Sequence, residues 1–238
     1  MGIADPIRRL RHRWVERRTS SWLRGVRNLV HVGANTGQEA ELYDRYGLGV
    51  LWIEPIPSVY ARLVEHVKPF SKQATHNALV TDIAGKKHTL RISNNDGASS
   101  SILSLAEHKA IWTDIELGDG IEIVSETLDD ILSRDPRDYD ALVMSTQGAE
   151  LMVLKGSTRH LPQLRFIKTR LPDFNSYEGG ATLGDVASFL EARGFSELRR
   201  DVFATKPDRS GTYFDIVFTS SRNPPPSPRS TSPGPRTS

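Results

Sequence analysis

Short aliphatic and β-branched runs, separated by longer amphipathic stretches from Leu29 to Thr219, restrict this chain more than any other feature. Runs such as Leu29-Val30-His31-Val32 and Ala141-Leu142-Val143-Met144 offer almost no polar face, so a strand made from either must be covered on both sides. Alternation of such runs with helical stretches predicts an α/β fold: a doubly wound, mostly parallel sheet in a single domain. Further strands are expected at Val50-Leu51-Trp52-Ile53, Ala78-Leu79-Val80, Thr89-Leu90-Arg91-Ile92, Glu122-Ile123-Val124, Phe166-Ile167-Lys168-Thr169 and Tyr213 to Thr219. About six or seven strands should form the sheet. Helices are expected over 38–46, from Pro57 through Val67, over 149–154 and from Leu183 until Gly194 stops it, with Thr127 and Asp130 spaced as a capping box. Ligands of such sheets lie beyond the carboxyl ends of the strands, where the loops gather.

The 238 residues suit one well-buried core. The expected organisation is a basic helical segment over 1–27, a catalytic domain over 28–221 and a tail over 222–238. The tail, RNPPPSPRSTSPGPRTS, has no aliphatic side chain to bury and is expected to be disordered. Residues 8–18, RRLRHRWVERR, are dominated by arginine, with Ile7, Leu10, Trp14 and Val15 at helical spacing. Such a helix either packs on the domain through Trp14, the favoured reading, or lies against anionic lipid at the inner face of a membrane. No apolar stretch approaches the ~20 residues of a membrane span. The absence of cysteine excludes disulfides, thiolate zinc and a cysteine nucleophile, and suits a cytoplasmic location. No metal site is expected, and a formal charge of +2 is too small to imply a nucleic-acid partner.

The chemistry concentrates after the first two strands. Gly33-Ala34-Asn35-Thr36-Gly37-Gln38 sets two glycines around a strand-to-helix turn, where backbone must approach a ligand closely. Glu54, 21 residues beyond Gly33 at the end of the second strand, stands where a carboxylate accepts hydrogen bonds from both hydroxyls of a ribose. A dinucleotide turn would need a glycine where Asn35 stands, to admit a pyrophosphate; the amino-acid end of S-adenosylmethionine needs polar groups instead. Asn77 and Ala78 are then expected near the adenine.

At this point the chain resembles the FkbM-type methyltransferases. The matching stretches are HVGANTGQEAELY (31–43), WIEPIPSVY (52–60), NALVTDIAG (77–85), ISNNDGASSSIL (92–103), TLDDIL (127–132), QGAELMVLKGS (147–157) and YEGG (177–180). The resemblance implies a class I, Rossmann-like methyltransferase that uses S-adenosylmethionine to methylate a hydroxyl of a sugar, glycolipid or polyketide. The cofactor residues expected are His31, Gly33, Ala34, Asn35, Gly37, Gln38, Glu54, Asn77 and Ala78. The acceptor, a small molecule or lipid-linked glycan, is expected beside Ser99, Ser100, Ser145, Arg170 and Tyr177, with Gln147, Glu150 and His108 as catalytic candidates and Asp215 as a further carboxylate near the crevice. Many members carry aspartate where this chain has His31, aspartate at Ser145 and glutamate at Arg170. Loss of the last two leaves open a cofactor-binding pseudoenzyme with a regulatory or scaffolding role and, more distantly, a dinucleotide-dependent reductase. The oligomeric state is not indicated.

Overall fold

A computed structural model describes residues 20–222. The expectations for the arginine-rich segment before Ser20 and for the tail beyond Arg222 lie outside the described residues. The chain opens β1 (Asn28–Val32), α1 (Ala40–Arg45), β2 (Gly49–Ile53), α2 (Pro57–Val67) and β3 (Gln73–His76). An insertion follows, made of β4 (Leu79–Val80), β5 (Lys87–Ser93) and β6 (Leu117–Glu126). The main fold resumes with α3 (Leu128–Ser133), β7 (Ala141–Met144), α4 (Glu150–Lys155), β8 (Phe166–Pro172), α5 (Leu183–Glu191), β9 (Phe195–Thr205) and β10 (Thr212–Ser220).

Seven strands form one sheet in the order β3-β2-β1-β7-β8-β10-β9. The first five are parallel, and β10 runs antiparallel between β8 and β9. Alternate residues of each strand feed opposite faces. Val30, Val32, Leu142 and Met144 join a cluster with Leu128, Val153 and Leu190, while Leu29, Val50, Trp52 and Val143 pack with Tyr43, Leu63 and Val67 on the other face. Trp22, Leu23 and Val26 also belong to this second cluster. The stretch from Ser20, expected to lie in the basic segment, therefore packs on the domain, because its apolar residues cover a face that would otherwise be bare. Of the capping box expected at Thr127 and Asp130, one half forms, the Thr127 side chain accepting from the Asp130 amide, while a reciprocal box closes at Thr182 and Asp185.

The strand expectations need correction. Ala78-Leu79-Val80 is not the third strand of the main sheet: Leu79 and Val80 pair with Ser125 and Glu126 in a separate sheet of order β4-β6-β5, which also takes the runs Thr89-Leu90-Arg91-Ile92 and Glu122-Ile123-Val124 out of the main sheet. The third strand is Gln73–His76, a sheet edge that is only partly covered and so carries polar residues. β9 was not foreseen, because its short apolar run, Val202-Phe203-Ala204, follows a charged stretch, and both faces of this edge strand are largely exposed.

β1 and β7 are neighbours whose following connections leave in opposite directions, toward β2 and β8. Their carboxyl ends form the topological switch point, where a crevice opens.

Candidate active site

The turn after β1 is fixed by backbone geometry. Gly33 has φ +75°, and a Cβ there would stand 2.3 Å from the Ser145 carbonyl oxygen at the end of β7. Only glycine lets the two strand ends come this close. The Gly33 and Ala34 amides donate to the Ile53 carbonyl at 2.9 and 3.1 Å. Asn35 is left-handed (φ 47°), and its side-chain oxygen accepts from the Thr36 amide and the Gln38 side chain. Gly37 serves packing instead: a Cβ there would lie 2.7 Å from Leu63 of α2.

Glu54 is 4% exposed, with Oε2 accepting from the Asn35 amide at 2.8 Å and Oε1 from the Ile56 amide at 3.0 Å. Burial pushes its carboxyl up, opposed by those two amides. Each oxygen keeps a second lone pair for a ligand. The Asn77 side chain donates to the carbonyls of Glu54 at 2.7 Å and Pro55 at 3.2 Å, so it braces the loop that carries Glu54. His31 is buried, stacked on Trp52 with ring centroids 5.0 Å apart, and burial lowers its pKa to about 4. It is therefore a neutral ring at physiological pH.

A cavity of about 340 Å³ is lined by His31, Gly33, Ala34, Asn35, Gln38, Glu54, Ala78 and the loop after β5. Gly37 and Asn77, expected at the cofactor, are not among its lining residues; both support it from behind. The polar segment from Ser93 to Ser101 folds over the chamber through its own network. Ser93 Oγ donates to Asn95 Oδ1 at 2.6 Å, Ser100 Oγ accepts from the Ser93 amide at 3.0 Å, and Asn95 Nδ2 donates to Ser99 Oγ at 3.0 Å. Ser100, expected beside the acceptor, lines the first chamber instead.

A second cavity of about 210 Å³ lies beyond the ends of β7 and β8, lined by Asn95, Ser99, His108, Trp112, Gly148, Glu150, Tyr177, Phe203 and Tyr213. Ser145, Gln147, Arg170 and Ala98 line both chambers and form the passage between them. Gln147 has φ 54°, a conformation that costs a non-glycine residue energy and is held by its surroundings. Ser101 Oγ donates to its carbonyl at 2.8 Å, and Tyr177 Oη donates to its Oε1 at 2.7 Å. Its Nε2 is thereby left on the side of Ser145, with Oγ 3.4 Å away.

Glu150 was expected to act on the acceptor. The structure uses both its oxygens within its own turn, accepting from the amides of Thr146 at 2.9 Å and Gly148 at 3.0 Å. Amides before a helix have no partner inside it, and this carboxylate supplies one. Burial pushes its carboxyl up. His108 does line the second chamber, but its pKa is not near neutrality as expected: burial against Trp112 and Tyr177 lowers it to about 4. Its Nδ1 is buried without a hydrogen-bond partner. Arg170 forms a two-pronged pair with Asp215, Nε to Oδ1 at 2.8 Å and Nη2 to Oδ2 at 3.1 Å, and its Cζ stands 3.2 Å from the centre of the Phe203 ring. Sequence reasoning missed Trp112, Phe203 and Tyr213. Phe203 lies on the unforeseen β9, and the aromatic identity of the other two was the only available signal. No group of three or more His, Asp or Glu side chains among the described residues is arranged to hold a metal.

A mostly parallel sheet with one reversed strand between β8 and β9, a glycine turn after the first strand and an acid after the second define a class I methyltransferase. The family model "Methyltransferase FkbM domain" matches residues 31–197, and the chain belongs to that family. Its methyl donor is S-adenosylmethionine, and the first chamber fits it: a glycine cradle that a Cβ would fill, a buried carboxylate, and Asn35 where a pyrophosphate would need glycine. The chain is 28% identical over 171 residues to the 2-O-methyltransferase NoeI of Sinorhizobium fredii (strain NBRC 101917 / NGR234), covering 68% of this chain and 70% of NoeI. Two solved structures share its fold. An uncharacterized protein from Listeria monocytogenes serotype 4b matches with TM-score 0.52 at 8% identity, over 90% of this chain and 70% of that one. The N-methyltransferase NodS from Bradyrhizobium japonicum WM9 matches with TM-score 0.50 at 11% identity, over 91% and 98% of the two chains.

Proposed function

We propose that this methyltransferase acts on oxygen, methylating a hydroxyl of a sugar ring, either in a small molecule or in a lipid-linked glycan. The observation that carries this reading is the pair of chambers joined at Ser145, Gln147 and Arg170, the second of them walled by aromatic rings and short polar side chains. Such a wall suits a ring with one apolar C–H face and a polar rim. The name of the similar protein NoeI, a 2-O-methyltransferase, supports oxygen as the acceptor atom.

S-adenosylmethionine supplies a methyl group already activated on a positive sulfonium. Gly33, Ala34, Asn35 and Gln38 would hold its amino-acid end and Glu54 its ribose, with Ala78 beside the base. The chain's remaining task is to place a hydroxyl at the passage, and proximity with orientation is worth up to ~7–11 kcal/mol. Gln147 Nε2, oriented by Tyr177, and Ser145 Oγ are the polar groups positioned there. Glu150, the carboxylate lining the second chamber among the described residues, has each oxygen held by a backbone amide of its own turn, so the proton is assigned to another group. His108 serves as the proton acceptor: an oxygen that has bonded to carbon while keeping its proton is a strong acid, so a weak, neutral imidazole suffices.

The deciding experiment incubates the protein with isotope-labelled S-adenosylmethionine and a panel of glycosides and glycolipids, then locates the label by mass spectrometry. Label on a ring oxygen is expected. Label on nitrogen or carbon overturns the reading. Cofactor binding without transfer to any acceptor favours the pseudoenzyme, the alternative to which the spent Glu150 and the paired Arg170 would then point.

A further inference from the structure

Among the described residues, Arg170 is the only lysine or arginine lining the second chamber, and its charge is already answered. Asp215 holds it in plane through two hydrogen bonds, and Phe203 covers one face of the guanidinium. Phe203 reaches that position through a break in strand pairing. Ala204 pairs with Tyr213 and Val202 with Phe214, which leaves Phe203 as the extra residue of a bulge at the sheet edge. Bulges re-aim a side chain, and this one turns a large apolar ring at 45% exposure against the chamber. A guanidinium has five N–H groups. Two are taken by Asp215, so three remain without an acceptor among the described residues.

A cation paired in this way still donates hydrogen bonds but adds no net positive charge. The other charged group lining the chamber is Glu150, a buried carboxyl whose oxygens face backbone amides. An incoming carboxylate or phosphate would meet Glu150, and Asp215 behind Arg170, with no free cation among the described lining residues to offset them, and desolvating an unpaired anion is costly. An uncharged hydroxyl pays no such cost and can accept from the spare N–H groups of Arg170. The flanking rings, with Trp112 set edge-on to Tyr213 at 5.1 Å and tilted against Phe203 at 6.3 Å between ring centres, provide the surface for the ring's C–H face.

Resting on the sugar-hydroxyl reading, we propose that Arg170, neutralised by Asp215 and backed by Phe203, makes the second chamber a subsite for an uncharged polyhydroxylated ring and excludes anionic acceptors. It is a specificity determinant of this chain.

The test uses the full-length protein saturated with S-adenosylhomocysteine and a panel of neutral methyl glycosides, each paired with its 6-carboxylate (uronate) counterpart. Binding is followed by ligand-observed NMR, so turnover is not needed. Neutral members are expected to bind at least about tenfold more tightly than their uronates, the scale of one charge-assisted hydrogen bond. Asp215→Asn frees the guanidinium charge and should erase or reverse that ratio. Phe203→Leu, at an exposed position that the fold tolerates, should weaken the neutral members while leaving cofactor affinity unchanged. Uronates binding as well as or better than their neutral partners, or no glycoside of either kind binding, overturns the proposal. Neutral binding with the expected ratio but no methyl transfer leaves this subsite standing and removes only the reading of the protein as an active sugar O-methyltransferase.

Discussion

Glu54→Gln separates two things that one carboxylate does here. The side chain is almost fully buried and accepts from the amides of Asn35 and Ile56 through different oxygens. A carboxamide has one oxygen, so one of these amides would face an NH₂ group and lose its partner. A buried donor left unmet costs about 1–3 kcal/mol. Part of that is returned, because burial penalises the charged form of Glu54 and glutamine carries no charge. A net loss of about 1–2 kcal/mol remains, which lowers Tm by roughly 2–8 °C for a domain of this size. Cofactor affinity should fall further, by about tenfold to a hundredfold, since hydrogen bonds from ribose hydroxyls to a charged acceptor are worth ~1.5–3 kcal/mol. The assay is isothermal titration with S-adenosylmethionine and S-adenosylhomocysteine, beside melting of the ligand-free protein. Weakening of both ligands together is the expected result. A lowered Tm with unchanged affinity would refute the reasoning, leaving Glu54 as a brace of the turn that never meets the ribose.

Three further predictions follow from other parts of the site. Gly33→Ala puts a Cβ 2.3 Å from the Ser145 oxygen at φ +75°, combining ~1–2 kcal/mol of backbone strain with ~1–3 kcal/mol of overpacking; a Tm within a degree of wild type would contradict the close approach of β1 and β7. Replacing Ser145 by Asp together with Arg170 by Glu restores the carboxylates of the family pattern, but strands Asp215 beside a new like charge, so we expect a less stable protein with no faster transfer; a gain of ~10²–10⁴-fold would instead show that a general base can be rebuilt there. His31 and His108 both have pKa values lowered from 6.5 to about 4 by burial, so between those values the unfolded chain binds more protons than the folded one. Their contribution to stability is complete above about pH 6.5 and is lost as the pH falls toward 4. Melting of wild type and His31→Asn across that range should show the acid-side loss reduced in the variant, and parallel curves would exclude His31 as a contributor.

Much of the framework was legible along the chain because its causes are local. Strands β1, β2 and β7 are buried on both faces and must be apolar throughout, and at Gly33 a left-handed backbone pressed against the end of β7 leaves no room for a Cβ, so the doubly wound sheet and the cradle at Gly33 could be read directly from residue types. The position of Glu54 follows from the length of one strand-turn-helix-strand unit. What the chain order could not show is which groups already have partners. Glu150 looks like a free acid at a helix start until the turn before it folds back to claim both oxygens, and His108 looks like a near-neutral base until Trp112 and Tyr177 close over it. Edge strands escape the pattern altogether: β3 and β9 face water on much of their surface, so nothing compels an apolar run, and the bulge that delivers Phe203 to Arg170 depends on pairing with β10. The Arg170 and Asp215 pair joins residues 45 apart in sequence, adjacent only because β10 runs antiparallel beside β8. Residue type and spacing thus determined the sheet and the glycine turn at Gly33, while the state of the second chamber was decided by pairing and burial, local for Glu150 within its own turn and long-range for Arg170 and Asp215, which meet only once the strands have assembled.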